Sequence, residues 1–136
     1  MTAAPASVLD ASAVLAYLRN ERGSDVVRTA LRSRAAISAV NWAEALSKLA
    51  DLGEDPELAA RRLFDQGLAG TALLVWPFEE EHARRAAGLR NQTRALGLSM
   101  GDRACLALGS ALRLPVWTAD RRWQSLKLNI EVRAIR

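Results

Sequence analysis

Cysteine occurs once, as Cys105, and histidine once, as His82, in a chain of 136 residues. A lone cysteine cannot close an intrachain disulfide, which fits a reducing cytoplasm, and it excludes a thiolate zinc cluster. A lone histidine leaves no second imidazole for a metal site, and no paired histidine is apparent for the thiol. Cys105 therefore reads as core filler, and His82, inside Glu79-Glu80-Glu81-His82, as a surface helix residue. Long hydrophobic runs are missing too: nothing approaches the roughly 18 apolar residues that cross a bilayer. The opening Met1-Thr2-Ala3-Ala4-Pro5-Ala6 has no basic residue and no apolar run behind it, so no secretory signal is expected. The expected compartment is the cytoplasm, with no membrane partner. No internal repeat, low-complexity tract or interdomain linker is visible.

What remains is an ordinary globular composition. Hydrophobic residues make up 50% and charged residues 25%, and the mean hydropathy is -0.03, all usual for a folded soluble domain. The length suits one domain over residues 1–136 with a single sizeable core. Net charge is +4 with a pI near 10.2, and nearly all the basic residues are arginine. The planar guanidinium favours bidentate phosphate contacts, which points toward nucleic acid; arginine-rich codon usage gives the same composition.

Short apolar runs alternate with longer helical patterns. Residues 7–9, 35–37, 73–76 and 116–117 read as brief strands, and 13–19, 25–34, 40–52, 56–68, 79–96 and 100–112 as helices. Asp55-Pro56 is a helix start, with proline at the first helical position. Gly53, Gly70 and Gly97 stand where helices should stop. The segment 129–134 alternates apolar and polar residues, as an edge strand does, and its charges discourage edge pairing. Alternating strands and helices predict an α/β fold: a three-layer α/β/α sandwich around a mainly parallel central sheet of four to five strands.

In such sheets ligands bind beyond the carboxyl ends of the strands. Four acids fall there. Asp10 follows the first strand directly, and Asp120 lies just past the fourth. Glu44 sits in the first turns of the helix after Ser38. Asp102 opens a helix whose stripe Asp102, Cys105, Leu106, Gly109 has core-facing spacing. Each acid also has a local reading: Asp10 as the cap of the first helix, Asn41 with Glu44 and Ser99 with Asp102 at capping-box spacing, Glu44 paired with Lys48, and Asp120 capping the turn that holds Arg121 and Arg122. Four acids assignable to one end of one sheet outweigh those single readings.

Those stretches carry a resemblance. Val8-Leu9-Asp10-Ala11-Ser12-Ala13, Ser38-Ala39-Val40-Asn41-Trp42-Ala43-Glu44, Leu98-Ser99-Met100-Gly101-Asp102 and Val116-Trp117-Thr118-Ala119-Asp120-Arg121-Arg122-Trp123 resemble the PIN-domain family, in particular its VapC-type toxins of bacterial toxin–antitoxin pairs. The resemblance covers nearly the whole chain. It implies that Asp10, Glu44, Asp102 and Asp120 form an acidic catalytic quartet, with Ser12 and Thr118 at accompanying polar positions. It further implies a magnesium- or manganese-dependent endoribonuclease, held in check by a VapB-like antitoxin whose tail covers the site, and a homodimer.

The residues support this chemistry on their own. Two carboxylates about 4 Å apart repel by roughly 4 kcal/mol at an effective dielectric near 20. A hard divalent ion relieves that repulsion and finds the oxygen ligands it prefers. The expected reaction is in-line attack of water on a phosphodiester, with Asp10 and Asp102 as main ligands. Asp120 and Glu44 complete the coordination, hold waters or serve as base, with Asp120 counted in the metal set. Ser12 and Thr118 orient carboxylates or contact substrate, while Arg103, Arg121 and Arg122 rim the acids against RNA phosphates, unless they line a solvated helix face. Trp42 and Trp123 suit core packing or a dimer contact better than base stacking. A phosphoacceptor receiver domain is set aside, because Leu9-Asp10-Ala11 lacks its acidic pair and Lys48 and Lys127 are misplaced. A non-catalytic PIN-like module that binds RNA or protein, and a DNA nuclease, are the alternatives to test.

Overall fold

The computed structural model describes residues 4–136. Met1-Thr2-Ala3, part of the segment read as carrying no export signal, lies outside the described residues. Among the described residues no helix is long and apolar enough to cross a membrane.

The chain alternates as its apolar runs suggest. Strand β1 (Ser7–Leu9) leads into α1 (Ala11–Leu18) and α2 (Ser24–Arg32), then β2 (Ala35–Ser38), α3 (Ala39–Asp51), α4 (Pro56–Asp65) and β3 (Leu73–Trp76). Helices α5 (Glu80–Gly88) and α6 (Arg90–Thr93) with a 3-10 turn (Arg94–Leu96) follow. Then come α7 (Met100–Leu112), β4 (Val116–Thr118), a second 3-10 turn (Arg121–Ser125) and β5 (Val132–Ala134). The five strands form one sheet in the order β3-β2-β1-β4-β5, and every pairing is parallel, with Val8 opposite Ala36 on one side and Val116 on the other. The expected three-layer α/β architecture is the one present, with β5 at an edge.

Alternation along the strands divides the core. Leu9, Ala35, Ile37 and Leu73 face α1 to α4 together with Val14, Val27 and Leu63. Val8, Ala36 and Val116 face α7 and the second 3-10 turn, packing with Cys105, Leu106, Leu108 and Trp123. Each fully buried Val or Leu stabilises by about 1.5–3 kcal/mol. The strands are short, so this two-sided burial holds the sheet. Gly109 shows how close the layers come: a Cβ there would overlap the Val116 side chain.

Three readings need correction. The helix expected over 79–96 is broken: α5 stops at Gly88 with Leu89 as its cap, and the Thr93 hydroxyl donates back to Leu89 O at 2.8 Å. Glycine and a threonine that bonds backward both weaken a continuous helix. Gly53 and Gly97 do take positive φ where helices end, whereas Gly70 lies in the turn entering β3 and the turn after α4 falls at Gly67. His82 is not a surface residue. It is buried, its Nδ1 accepts from the Glu79 backbone N–H at 3.0 Å, and its ring tilts against Phe78. The imidazole completes a capping box usually closed by Glu or Gln, and that chemistry draws it inward.

Candidate metal centre

The order of strands reverses at β1: the chain runs outward through β2 and β3, then returns to β1's other side for β4. The crevice at the carboxyl ends of β1 and β4 is the switch point where open parallel sheets take ligands. Asp10 stands there. Its extended backbone caps α1, so Ala13 N–H (2.8 Å) and the Ser12 hydroxyl (2.7 Å) donate to Oδ1, while the Thr118 hydroxyl donates to Oδ2 at 2.6 Å. The capping reading and the site reading of Asp10 thus describe the same geometry. Both hydroxyls also accept, Ser12 from Ala119 N–H and Thr118 from Asp120 N–H, each at 3.0 Å. They tie the end of β4 to the end of β1.

Asp10 is 6% exposed, and burial pushes its carboxyl up from the usual 3.8 to about 6. The three hydrogen bonds oppose that rise, and the negative charge of Asp102 adds to it. Glu44 reaches the same place from α3. Its Oε1 accepts from Asn41 Nδ2 at 2.8 Å, and that amide also donates to Gly101 O at the start of α7, at 2.9 Å. Asp102 sits in the first turn of α7 and shares a capping box with Ser99, its Oδ2 accepting from Ser99 N–H at 3.0 Å. Asp10, Ser12, Asn41, Glu44, Lys48 and Asp102 line one cavity of about 270 Å³. Buried Cys105 senses the convergence: burial raises its thiol well above the ordinary value, and Asp10, Asp102 and Glu44 each raise it further.

Asp120 does not line that cavity. Its Oδ1 accepts from Arg122 N–H and Nε, both at 3.0 Å, and its Oδ2 from the same guanidinium at 2.7 Å. The Arg122 hydrogen bond holds the Asp120 carboxyl below the usual carboxylate range. With Asp102 turned back on Ser99 and Asp120 on Arg122, no three Asp, Glu, His or Cys side chains among the described residues stand close enough to share a metal ion. The donor set nevertheless suits a hard divalent cation. It consists of carboxylate oxygens, and the buried Oδ1 of Asn41, another acceptor, has no hydrogen-bond partner among the described residues.

The arginines sort differently from the sequence reading. Arg103 is buried, and its guanidinium donates to Ala86 O on α5 at 3.0 Å. It is not a rim cation. The middle of helix α7 is enclosed, with Arg103 to Gly109 all buried, so no solvated face was left for Arg103. Arg122 is engaged by Asp120, and Arg121 is exposed. Trp42 and Trp123 are both buried in the core, on opposite faces of the sheet. Sequence reasoning missed Gly101 at the site, treated Asn41 only as a cap, and gave Lys48 only as an ion-pair partner. Asn41 and Lys48 sit one turn either side of Glu44, and that spacing was the available signal. Lys48 makes no ion pair among the described residues. A larger cavity of about 700 Å³, with Arg85, Arg113 and Glu131 among its residues, opens beside the amino ends of β4 and β5. It lacks converging acids, whereas Asp10, Glu44 and Asp102 meet at the smaller one.

The sequence model of the PIN domain matches residues 7–128, a span that includes all four acids. The chain belongs to the PIN-domain family. Solved structures share its fold at low identity. A toxin–antitoxin complex from Klebsiella pneumoniae is 18% identical with a TM-score of 0.68, covering 96% of this chain and 98% of that one. VapBC2 from Rickettsia felis, bound to a DNA fragment from its promoter, is 15% identical with a TM-score of 0.68, covering 94% and 97%. VapBC-5 from Mycobacterium tuberculosis is 23% identical with a TM-score of 0.59, covering 98% and 99%. No curated protein sequence matches the chain. The acidic crevice of this PIN domain lies at the sheet's switch point.

Proposed function

We propose that this PIN domain is a magnesium- or manganese-dependent endoribonuclease and the VapC-type toxin of a type II toxin–antitoxin pair. The observation that carries the reading is the shared cavity of Asp10, Glu44 and Asp102, brought from three separate segments to one end of the sheet. The toxin–antitoxin complexes among the neighbouring structures support a cognate VapB-like antitoxin that covers this site, and a homodimer is the proposed assembly.

Asp10 and Asp102 would hold the ion, with Asp120 joining once it leaves Arg122. When bound, the ion supplies Lewis-acid stabilisation of the phosphate charge and a lowered pKa for water at the site. Ser12 and Thr118 aim the Asp10 carboxylate, since both hydroxyls donate to it. Glu44 accepts a proton or holds water. Incubating the purified chain with single-stranded RNA and DNA of one sequence, in Mg2+ or Mn2+ and then in EDTA, tests the proposal. Metal-dependent cutting of RNA is expected, along with a higher melting temperature in millimolar metal, because a ligand specific to the folded state stabilises it. Cutting of DNA alone overturns the RNA reading. Binding of RNA without cutting favours the non-catalytic module.

Lys48 takes the place expected of Arg103. It lines the acid cavity and is free to meet a substrate phosphate. In the Asp10→Asn background, Lys48→Ala is expected to weaken RNA binding and lower the salt slope of affinity by about one. Fluorescence anisotropy across a salt series reads both; an unchanged slope removes Lys48 from the interface.

A further inference from the structure

We infer that Asn41 and Gly101 are positioning residues that together hold the Glu44 carboxylate in the acid cavity, an inference that rests on the nuclease reading above. Glu44 is a long, largely exposed side chain on α3. Left alone it would sample many rotamers, and a catalytic constellation needs its members held in place. Two features restrict it.

The first is a bridge between helices. Buried Asn41 precedes Glu44 by one turn, on the same face of α3, and its Nδ2 donates to both Glu44 Oε1 and Gly101 O. Both partners can only accept, so the orientation of the amide is not a matter of choice. One NH2 group thereby links Glu44 to the backbone that carries Asp102 in the next residue.

The second is a notch. Gly101 is buried within α7 and does not adopt a positive φ, so its backbone does not call for glycine. Space does. A Cβ at position 101 would overlap Glu44 Oε2 and come within 2.5 Å of Glu44 Cδ and 2.6 Å of Oε1. Glycine is a poor helix residue, and its presence here is explained by the carboxylate resting over its Cα. The bridge pulls Glu44 toward α7, and the notch lets it arrive.

The test compares Gly101→Ala, Asn41→Ala, Glu44→Ala and the two doubles that contain Glu44→Ala. Mn2+ affinity is read by titration calorimetry, cleavage of a single-stranded RNA by kcat and KM, and folding by melting temperature in EDTA. With Glu44 present, Gly101→Ala should displace the carboxylate, lower the melting temperature and weaken Mn2+ binding about ten- to hundredfold. In the Glu44→Ala background the notch is empty, and Gly101→Ala should instead raise the melting temperature, since alanine favours helix. Asn41→Ala should weaken Mn2+ binding and lower kcat as Glu44→Ala does, and neither double should fall below Glu44→Ala alone. Should Gly101→Ala fail to fold with Glu44 in place but fold once combined with Glu44→Ala, the clash is demonstrated directly. Effects that multiply in the doubles, or a Gly101→Ala melting shift of one sign in both backgrounds, overturn the clamp. A wild-type chain that binds no Mn2+ overturns the nuclease reading and the site role of the clamp together, whereas normal Mn2+ binding without the sign reversal overturns the clamp alone.

Discussion

Replacing Asp10 with asparagine is expected to cost on the order of a thousandfold in RNA cleavage while making the metal-free fold more stable. Under the proposed mechanism Asp10 is the acid that both hydroxyls of the crevice aim. Charge stabilisation by a bound ion is worth several kcal/mol in the transition state, and each 1.4 kcal/mol or so is tenfold in rate. Losing a principal ligand therefore removes about three powers of ten. Asparagine nevertheless fits the position. Its Oδ1 can face Ala13 N–H and Ser12, and its Nδ2 can donate to Thr118 Oγ1, which is free to turn. Steady-state cleavage assays, with urea unfolding in EDTA, measure both effects. An Asp10→Asn protein that cuts RNA at the wild-type rate sinks the quartet, and one that unfolds in EDTA shows that Asp10 serves only as a cap.

The second large effect concerns pH. The folded chain holds the Asp10 proton up to about 6, while the unfolded chain releases it near the ordinary aspartate value. The folded state therefore binds the proton more tightly, and Asp10's favourable contribution is complete below about pH 4 and lost as pH rises through 6. The difference corresponds to roughly 3 kcal/mol. Asp102 and Glu44 share the cavity with Lys48, and Asp102 contributes to the raised value. Asp120 has the opposite sign: its lowered carboxyl stabilises above the ordinary aspartate value and loses that contribution only in stronger acid. In EDTA, wild-type stability minus that of Asp10→Asn should thus fall by about 2 kcal/mol between pH 4 and pH 7. Saturating Mg2+ should shrink the fall, because the ion competes with the proton for the same oxygens. A flat difference across that range contradicts the burial of the charge.

Much of the architecture was legible in local patterns. Residues 73–76 and 7–9 are strands at the expected limits, because a short apolar run between turn-forming residues has few other options. Capping chemistry was also legible at Asp55 and Ser99, which receive the backbone donors their positions predicted, whereas α3 is capped by Ser38 and not by Asn41. The long helix over 79–96 misled because its apolar spacing survives the break at Leu89. Arg103 misled for a different reason. Charge alone suggested solvent, but α5 packs over that side of α7 and offers the Ala86 carbonyl. His82 repeats the lesson, since its imidazole found an inward use as an acceptor.

That Asp10, Glu44 and Asp102 gather near one another followed from residue order, because strand ends and helix starts in a parallel sheet meet at its carboxyl end. Asp120 does not join their cavity. What Glu44 touches beyond its own helix was settled only by folding. Asp120 turning onto Arg122 and Asp102 onto Ser99 are local contacts at spacings the sequence offered, whereas Glu44 seated over a glycine from a distant helix depends on how α3 and α7 abut. Side-chain partners across packed helices are chosen by distance and shape, and these have no trace in local periodicity.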